Sequence, residues 1–103
     1  MILHLATFRW TDDVTVDDVK KLTAGLTAMA ADIPELRSYR CGPNLRLRPS
    51  TADYGVAAVV DDEDALAAYL DSPAHAAVYE QLLGRMTAER SAVQMPVGAD
   101  ATL

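Results

Sequence analysis

Two histidines and one tyrosine carry most of the chemical interest of this chain. His4 lies within an almost wholly apolar segment, ILHLATFRW (residues 2–10), in the same alternating set as Ala6, Phe8 and Trp10. An imidazole kept neutral in such surroundings is a usable base near neutral pH. His75 follows the Ser72-Pro73 pair, which reads as the N-cap and first residue of a helix, so it falls in the first turn. The positive end of a helix disfavours imidazolium, and the nearby Asp71 opposes that bias. Tyr69 stands six residues before His75, across a break between two helical pieces, where a phenol can donate a proton or orient a carbonyl. Each also has a structural reading. His4 can be a core histidine satisfied by a hydrogen bond, His75 one more member of an apolar stripe, and Tyr69 a packed ring with a surface hydroxyl.

Other residues offer less. Arg46 and Arg48 share one side of an alternating segment, where they can grip an anion or keep an edge strand soluble. Cys41 is the single cysteine and has neither a CxxC partner nor an activating neighbour. One cysteine and two histidines cannot build a Cys/His zinc site. Glycine-rich dinucleotide fingerprints, P-loops, paired-histidine zinc helices and nucleophile elbows are all missing. No metal or organic cofactor is expected.

The elements that must hold these residues follow from periodicity. Residues 2–10 read as a strand with apolar residues on both faces. Thr11-Asp12-Asp13 is a turn signal, and Thr15 caps a helix predicted over 16–31, with Asp17 and Asp18 in its first turn. Val19, Leu22, Leu26, Met29 and Ile33 make its apolar stripe, and Pro34 closes it. Residues 36–41 alternate as a second strand, which Gly42-Pro43-Asn44 interrupts and residues 45–48 resume. Residues 54–60 form a third, apolar strand. A short helix carrying Leu66, Tyr69 and Leu70 follows. In the next helix His75, Val78, Tyr79, Leu82, Leu83 and Met86 repeat at helical spacing, weakened slightly by Gly84. Residues 91–95 make the last strand.

The order β-α-β-β-α-β matches an α+β, ferredoxin-like split motif: a four-stranded antiparallel sheet with helices on one face. The helices cover one face, yet the first and third strands are apolar on both. A second copy of the sheet is the economical cover, giving a two-chain barrel with a twofold axis. At 103 residues the chain makes one domain, expected over 1–96, with a flexible tail at 97–103. Half the residues are apolar and 23% are charged, which argues against disorder. The net charge of −6 disfavours nucleic acid and anionic membrane surfaces, and no apolar run is long enough to span a bilayer. The single cysteine and a start without a basic leader point to the cytoplasm.

Four stretches together resemble the stress-responsive dimeric A/B barrel (Dabb) family. Tyr69-Leu70-Asp71-Ser72-Pro73-Ala74-His75 resembles its Y-x-x-H-P-x-H stretch, and residues 4–10 resemble its opening strand. Ile33-Pro34-Glu35-Leu36 resembles its helix exit, and Gly42-Pro43-Asn44 its G-x-N kink. Ser72 departs from the usual histidine and caps a helix in its place. The resemblance implies a homodimeric barrel around a small cavity. It is similar more distantly to plant polyketide (olivetolic acid) cyclases, in which first-strand histidine, tyrosine and P-A-H histidine line the pocket. Those positions fall on His4, Tyr69 and His75. The reading they imply is a cofactor-free cyclase or lyase acting on a carbonyl-rich or aromatic small molecule. Its pocket would be lined by Ala6, Phe8, Val78, Tyr79 and Leu82. The alternatives are a non-enzymatic stress or binding protein and, by fold alone, a quinol or haem monooxygenase.

Overall fold

The computed structural model describes all residues, Met1–Leu103. Strand β1 (Ile2–Trp10) leads to helix α1 (Val16–Ala31), then to β2 (Ser38–Pro43), β3 (Tyr54–Val60) and α2 (Glu63–Leu70). Helix α3 (Pro73–Val78) continues through a π-helical turn, Tyr79–Leu83, and a last α-helical turn, Gly84–Met86, before β4 (Thr87–Pro96). The sheet is antiparallel with order β2-β3-β1-β4. This is a ferredoxin-like α+β fold.

Local chemistry sets the helix starts. Thr15 Oγ1 accepts from the Asp18 N–H and the Asp18 carboxylate accepts from the Thr15 N–H, a capping box at the start of α1. Asp62 caps α2 through the Ala65 N–H, and Ser72 caps α3 through the His75 N–H with Pro73 at the first helical position. The α1 stripe buries Leu22, Leu26, Met29 and the following Ile33 against the even face of β1. That face contributes His4, Ala6 and Phe8, all buried.

Three elements differ from the sequence expectation. Strand β2 begins at Ser38 and runs through Gly42 to Pro43, whose missing N–H is tolerated at the end of an edge strand. Residues 45–48 form a loop, because β3 starts only at Tyr54 and leaves them without a partner strand. That loop is tied by Asn44, which accepts from the Arg46 N–H and donates to the Ala52 carbonyl, and by an Arg46–Asp53 ion pair. Arg46 takes φ of 57° at its tip. Strand β4 is longer than expected, since it pairs with β1 along the whole of that strand, from Ile2↔Pro96 to Trp10↔Thr87. Residues 97–103, expected as a flexible tail, double back over the end of the sheet. The Val97 N–H donates to the Met1 carbonyl and the Leu103 N–H to Ser38 Oγ, on the opposite edge.

The helical stripe from His75 to Met86 is interrupted as well. The Gly84 N–H donates to the Tyr79 carbonyl five residues back, the bond of a π-turn. A Cβ on Gly84 would lie 3.0 Å from that carbonyl oxygen and 3.2 Å from the Tyr79 ring. The glycine that weakens a regular helix here lets the widened turn close under the Tyr79 ring.

On the other face of the sheet, Leu3, Leu5 and Thr7 of β1 stand beside Met95, Val93 and Ser91 of β4 and beside Val59, Ala57 and Gly55 of β3. No helix covers them. Val93 and Met95 are 49% and 40% exposed.

Candidate functional site

Under the helices, the even face of β1 and the start of α3 enclose a cavity of about 70 Å³. His4, Tyr69 and His75 all line it, together with Ala6, Phe8 and Tyr39. Arg90 and Ala92 of β4 form a further wall. Because Arg90, Ala92 and Gln94 remain exposed, the cavity is open on the β4 side.

Alternation along β1 turns His4 inward. Gln94 stands directly opposite it on β4, with the amide nitrogen 2.9 Å from His4 Nδ1. With the amide donating, Nδ1 is the acceptor and the neutral ring carries its hydrogen on Nε2. Tyr69, in the last turn of α2, is the hub of the site. Its ring lies edge-on to His4 at 6.2 Å, to Tyr39 at 6.3 Å and to His75 at 5.4 Å between centroids. His75 is placed by the Ser72 cap, which fixes the first turn of α3 beside the end of α2.

Electrostatics keeps these groups neutral. Burial, then the Arg90 guanidinium, then His75 hold the His4 imidazole below its ordinary value. Burial and Arg90 do the same to His75, with Asp71 opposing. Burial pushes the Tyr69 and Tyr39 phenols up, so both stay protonated as donors. The Tyr39 hydroxyl is buried with no hydrogen-bond partner, although it lies near enough to Tyr69 for the two phenols to influence each other. At neutral pH the cavity therefore presents two neutral imidazoles and two phenolic donors. No group of three or more His, Cys, Asp or Glu side chains converges to hold a metal.

The expected pocket residues divide. Ala6 and Phe8 line the cavity, whereas Val78, Tyr79 and Leu82 do not. Of that helical stripe, His75 and Leu83 reach the cavity. Leu82 instead meets α1 at Gly25, Val78 packs half-buried at the core margin, and the Tyr79 ring covers Gly84. Tyr39 and Arg90, which line the cavity, and Gln94, which bonds His4, are the positions that the sequence reading missed. Arg90, Ala92 and Gln94 repeat with period two, a legible signal once β4 starts at Thr87; a strand starting at Ser91 leaves Arg90 out. Tyr39 shares an alternating set with Arg37 and Cys41, and nothing in the sequence says which set faces inward.

A ferredoxin-like sheet with a histidine-and-tyrosine cavity beneath its helices defines the class of protein. The family follows from comparison: residues 2–97 match the stress responsive A/B barrel domain, and the chain belongs to this Dabb family. A Streptomyces coelicolor protein, SCO4036, is 38% identical over 79 residues, 75% of this chain and 81% of that one. The crystal structure of a dimeric ferredoxin-like protein of unknown function from Thermobifida fusca is 41% identical with a TM-score of 0.86. It covers 93% of this chain and 90% of its own. The hydroxynitrile lyase of Passiflora edulis shares the fold at 10% identity, with a TM-score of 0.80 over 97% of this chain and 95% of its own.

Proposed function

We propose that the chain acts as a homodimer whose cavities bind a small carbonyl compound and transform it by acid–base chemistry. The convergence of His4, Tyr69 and His75 on one cavity carries this reading. In it, His75 takes a proton from the carbon next to the carbonyl. The C–H electron pair moves into the new double bond, and the carbonyl oxygen becomes an enolate that accepts a hydrogen bond from Tyr69. His4, whose Nε2 carries hydrogen when neutral, orients or reprotonates the substrate. The enolate then attacks an electrophilic carbon or expels a leaving group, the step of a cyclase or a lyase. The reaction needs only proton transfer and an oxygen-binding donor.

The cavity narrows the substrate. A dry cavity of roughly 150 Å³ holds benzene. At about 70 Å³ the enclosed space takes the reacting end of a molecule and not a folded aromatic polyketide. The dimer is supported by the apolar, uncovered face of the sheet and by the dimeric relative from Thermobifida fusca.

Proton abstraction can be measured before the substrate is known. Wild-type protein should speed exchange of the carbon-bound protons of acetylacetone or butanone in heavy water, and His75→Ala should abolish that acceleration. Exchange undiminished in a folded His75→Ala protein would remove His75 from the mechanism. Ligand-dependent thermal stabilisation with no acceleration at all would instead support a binding protein.

A further inference from the structure

Arg90 differs from every other arginine in the chain. Arg9, Arg37, Arg46 and Arg85 pair with Glu89, Asp61, Asp53 and Asp18. Arg40 and Arg48 donate to the carbonyls of Tyr39 and Leu47. The Arg90 guanidinium makes no such bond. It belongs to the inward set of β4, opposite Phe8, and forms part of the wall on the open side of the cavity. No carboxylate lines that cavity. A chain of net charge −6 thus places one uncompensated cation at the mouth of an otherwise neutral pocket.

We infer that the cavity takes its carbonyl compound as the anion of a short-chain keto acid, with Arg90 gripping the carboxylate at the mouth and the ketone end entering toward Tyr69. Arginine is suited to this, because its planar fork meets a carboxylate with two parallel hydrogen bonds. The inference rests on reading the cavity as a small-molecule site and adds the chemical class of what enters it.

A consequence separates Arg90 from a merely solvating charge. The groups facing the two imidazoles are Arg90, which acts on both, Asp71 beside His75, the neutral Tyr69 ring between them, and Gln94 on His4. Of these, Arg90 is the cation that opposes protonation of both rings. A carboxylate bound to it cancels that field, so binding draws protons onto His4 and His75. By linkage, the anion then binds more tightly as pH falls through the histidine range.

The test uses sodium butyrate and butyramide, matched in shape and differing in charge, at constant ionic strength. Cavity resonances and the His4 and His75 ring protons are followed by NMR in wild type, Arg90→Gln and Arg90→Lys. Wild type should prefer butyrate by about tenfold or more, the scale of a charge-assisted hydrogen bond. Arg90→Gln should lose the preference, and Arg90→Lys, keeping charge without the fork, should retain part of it. Without ligand, Arg90→Gln should titrate both histidines at higher pH, and butyrate should raise them only where Arg90 is present. Equal affinity for the two probes in wild type, or an undiminished preference in Arg90→Gln, would overturn Arg90 as the anchor while leaving the cavity a binding site. If neither probe moves a cavity resonance at 100 mM, the small-molecule reading of the cavity falls, and this inference with it.

Discussion

The two faces of one sheet have been given opposite tasks. The inner face of β1 carries His4, Ala6 and Phe8 in line, under Tyr69 and His75, and the cavity there gathers two imidazoles, two phenols and one guanidinium. The outer face, one residue out of phase, carries Leu3 and Leu5 beside Val93 and Met95. Side chains one position apart on a strand point to opposite faces. A single nine-residue strand can therefore supply both a site and an interface. The lesson is that neighbouring residues of one strand can serve different ends: the polar groups lie where helices exclude water, and the apolar residues of the other phase are left without a helix over them.

The largest effect tests the outer face. Val59 belongs to that face yet is only 1% exposed, in register with Ser38, to which the chain terminus bonds. Val59→Asp leaves an unpaired buried charge, expected to cost about 3–5 kcal/mol. Melting followed by circular dichroism should fall by about 15 °C or more. Leu5→Asp, on the same face but half-buried, should spare more of the fold and dissociate the dimer in light scattering. If both variants stay dimeric and melt with wild type, the outer face is not an interface.

Much of this division was legible in the sequence. The pattern of residues 2–10 and 54–60 announced a sheet apolar on both faces, as the structure shows, and the capping signals at Thr15 and Ser72 marked where helices begin. His4, Tyr69 and His75 were found because they are polar groups set in apolar periodicity. What periodicity did not disclose is where the helix departs from regular geometry. The π-turn at Tyr79–Leu83 depends on the Gly84 N–H reaching the Tyr79 carbonyl, and a pattern count carries no trace of that bond. Arg90 escaped for a related reason: an edge strand's polar residues look like loop until their partner strand is known.

The next largest effect lies on the inner face. General-base catalysis and a single oxyanion donor are each worth roughly 10²-fold or more. On a confirmed substrate, His75→Ala and Tyr69→Phe should each lower turnover about a hundredfold, with dimerisation unchanged. His4→Ala should cost less, since its Nδ1 is already engaged by Gln94. Turnover should also fall as pH drops through the depressed titration of His75.

The same histidines mark the inner face in stability. Both hold fewer protons when folded, because their values lie below the ordinary 6.5. The unfolded chain therefore binds more protons below about pH 6.5. Stability should decline from there through the depressed folded values and then level off for these two groups. The carboxylates of Asp13, Asp18, Asp53 and Asp61 are lowered from 3.8, so their contribution is lost in a separate, more acid window. Denaturant titrations across pH should show two steps, and the double variant His4→Gln with His75→Gln should erase the upper one alone. An upper step that survives the double variant would assign it to other groups.

The smallest effect has the opposite sign. The Tyr39 hydroxyl is buried without a hydrogen-bond partner, a condition that proteins ordinarily avoid. Replacing it by hydrogen removes an unsatisfied group while leaving the ring edge-on to Tyr69, so Tyr39→Phe should stabilise the ligand-free protein by up to about 1 kcal/mol. The outer face has no counterpart, since none of its side chains leaves a buried polar atom unpaired. A hydroxyl kept at such a cost beside the cavity reads as a donor awaiting a ligand oxygen. Tyr39→Phe should then weaken binding of any ligand that stabilises the wild type, so that its melting temperature is higher without ligand and its ligand-induced shift smaller. A gain in stability with an unchanged ligand shift would reduce Tyr39 to packing and leave Tyr69 as the donor of the site.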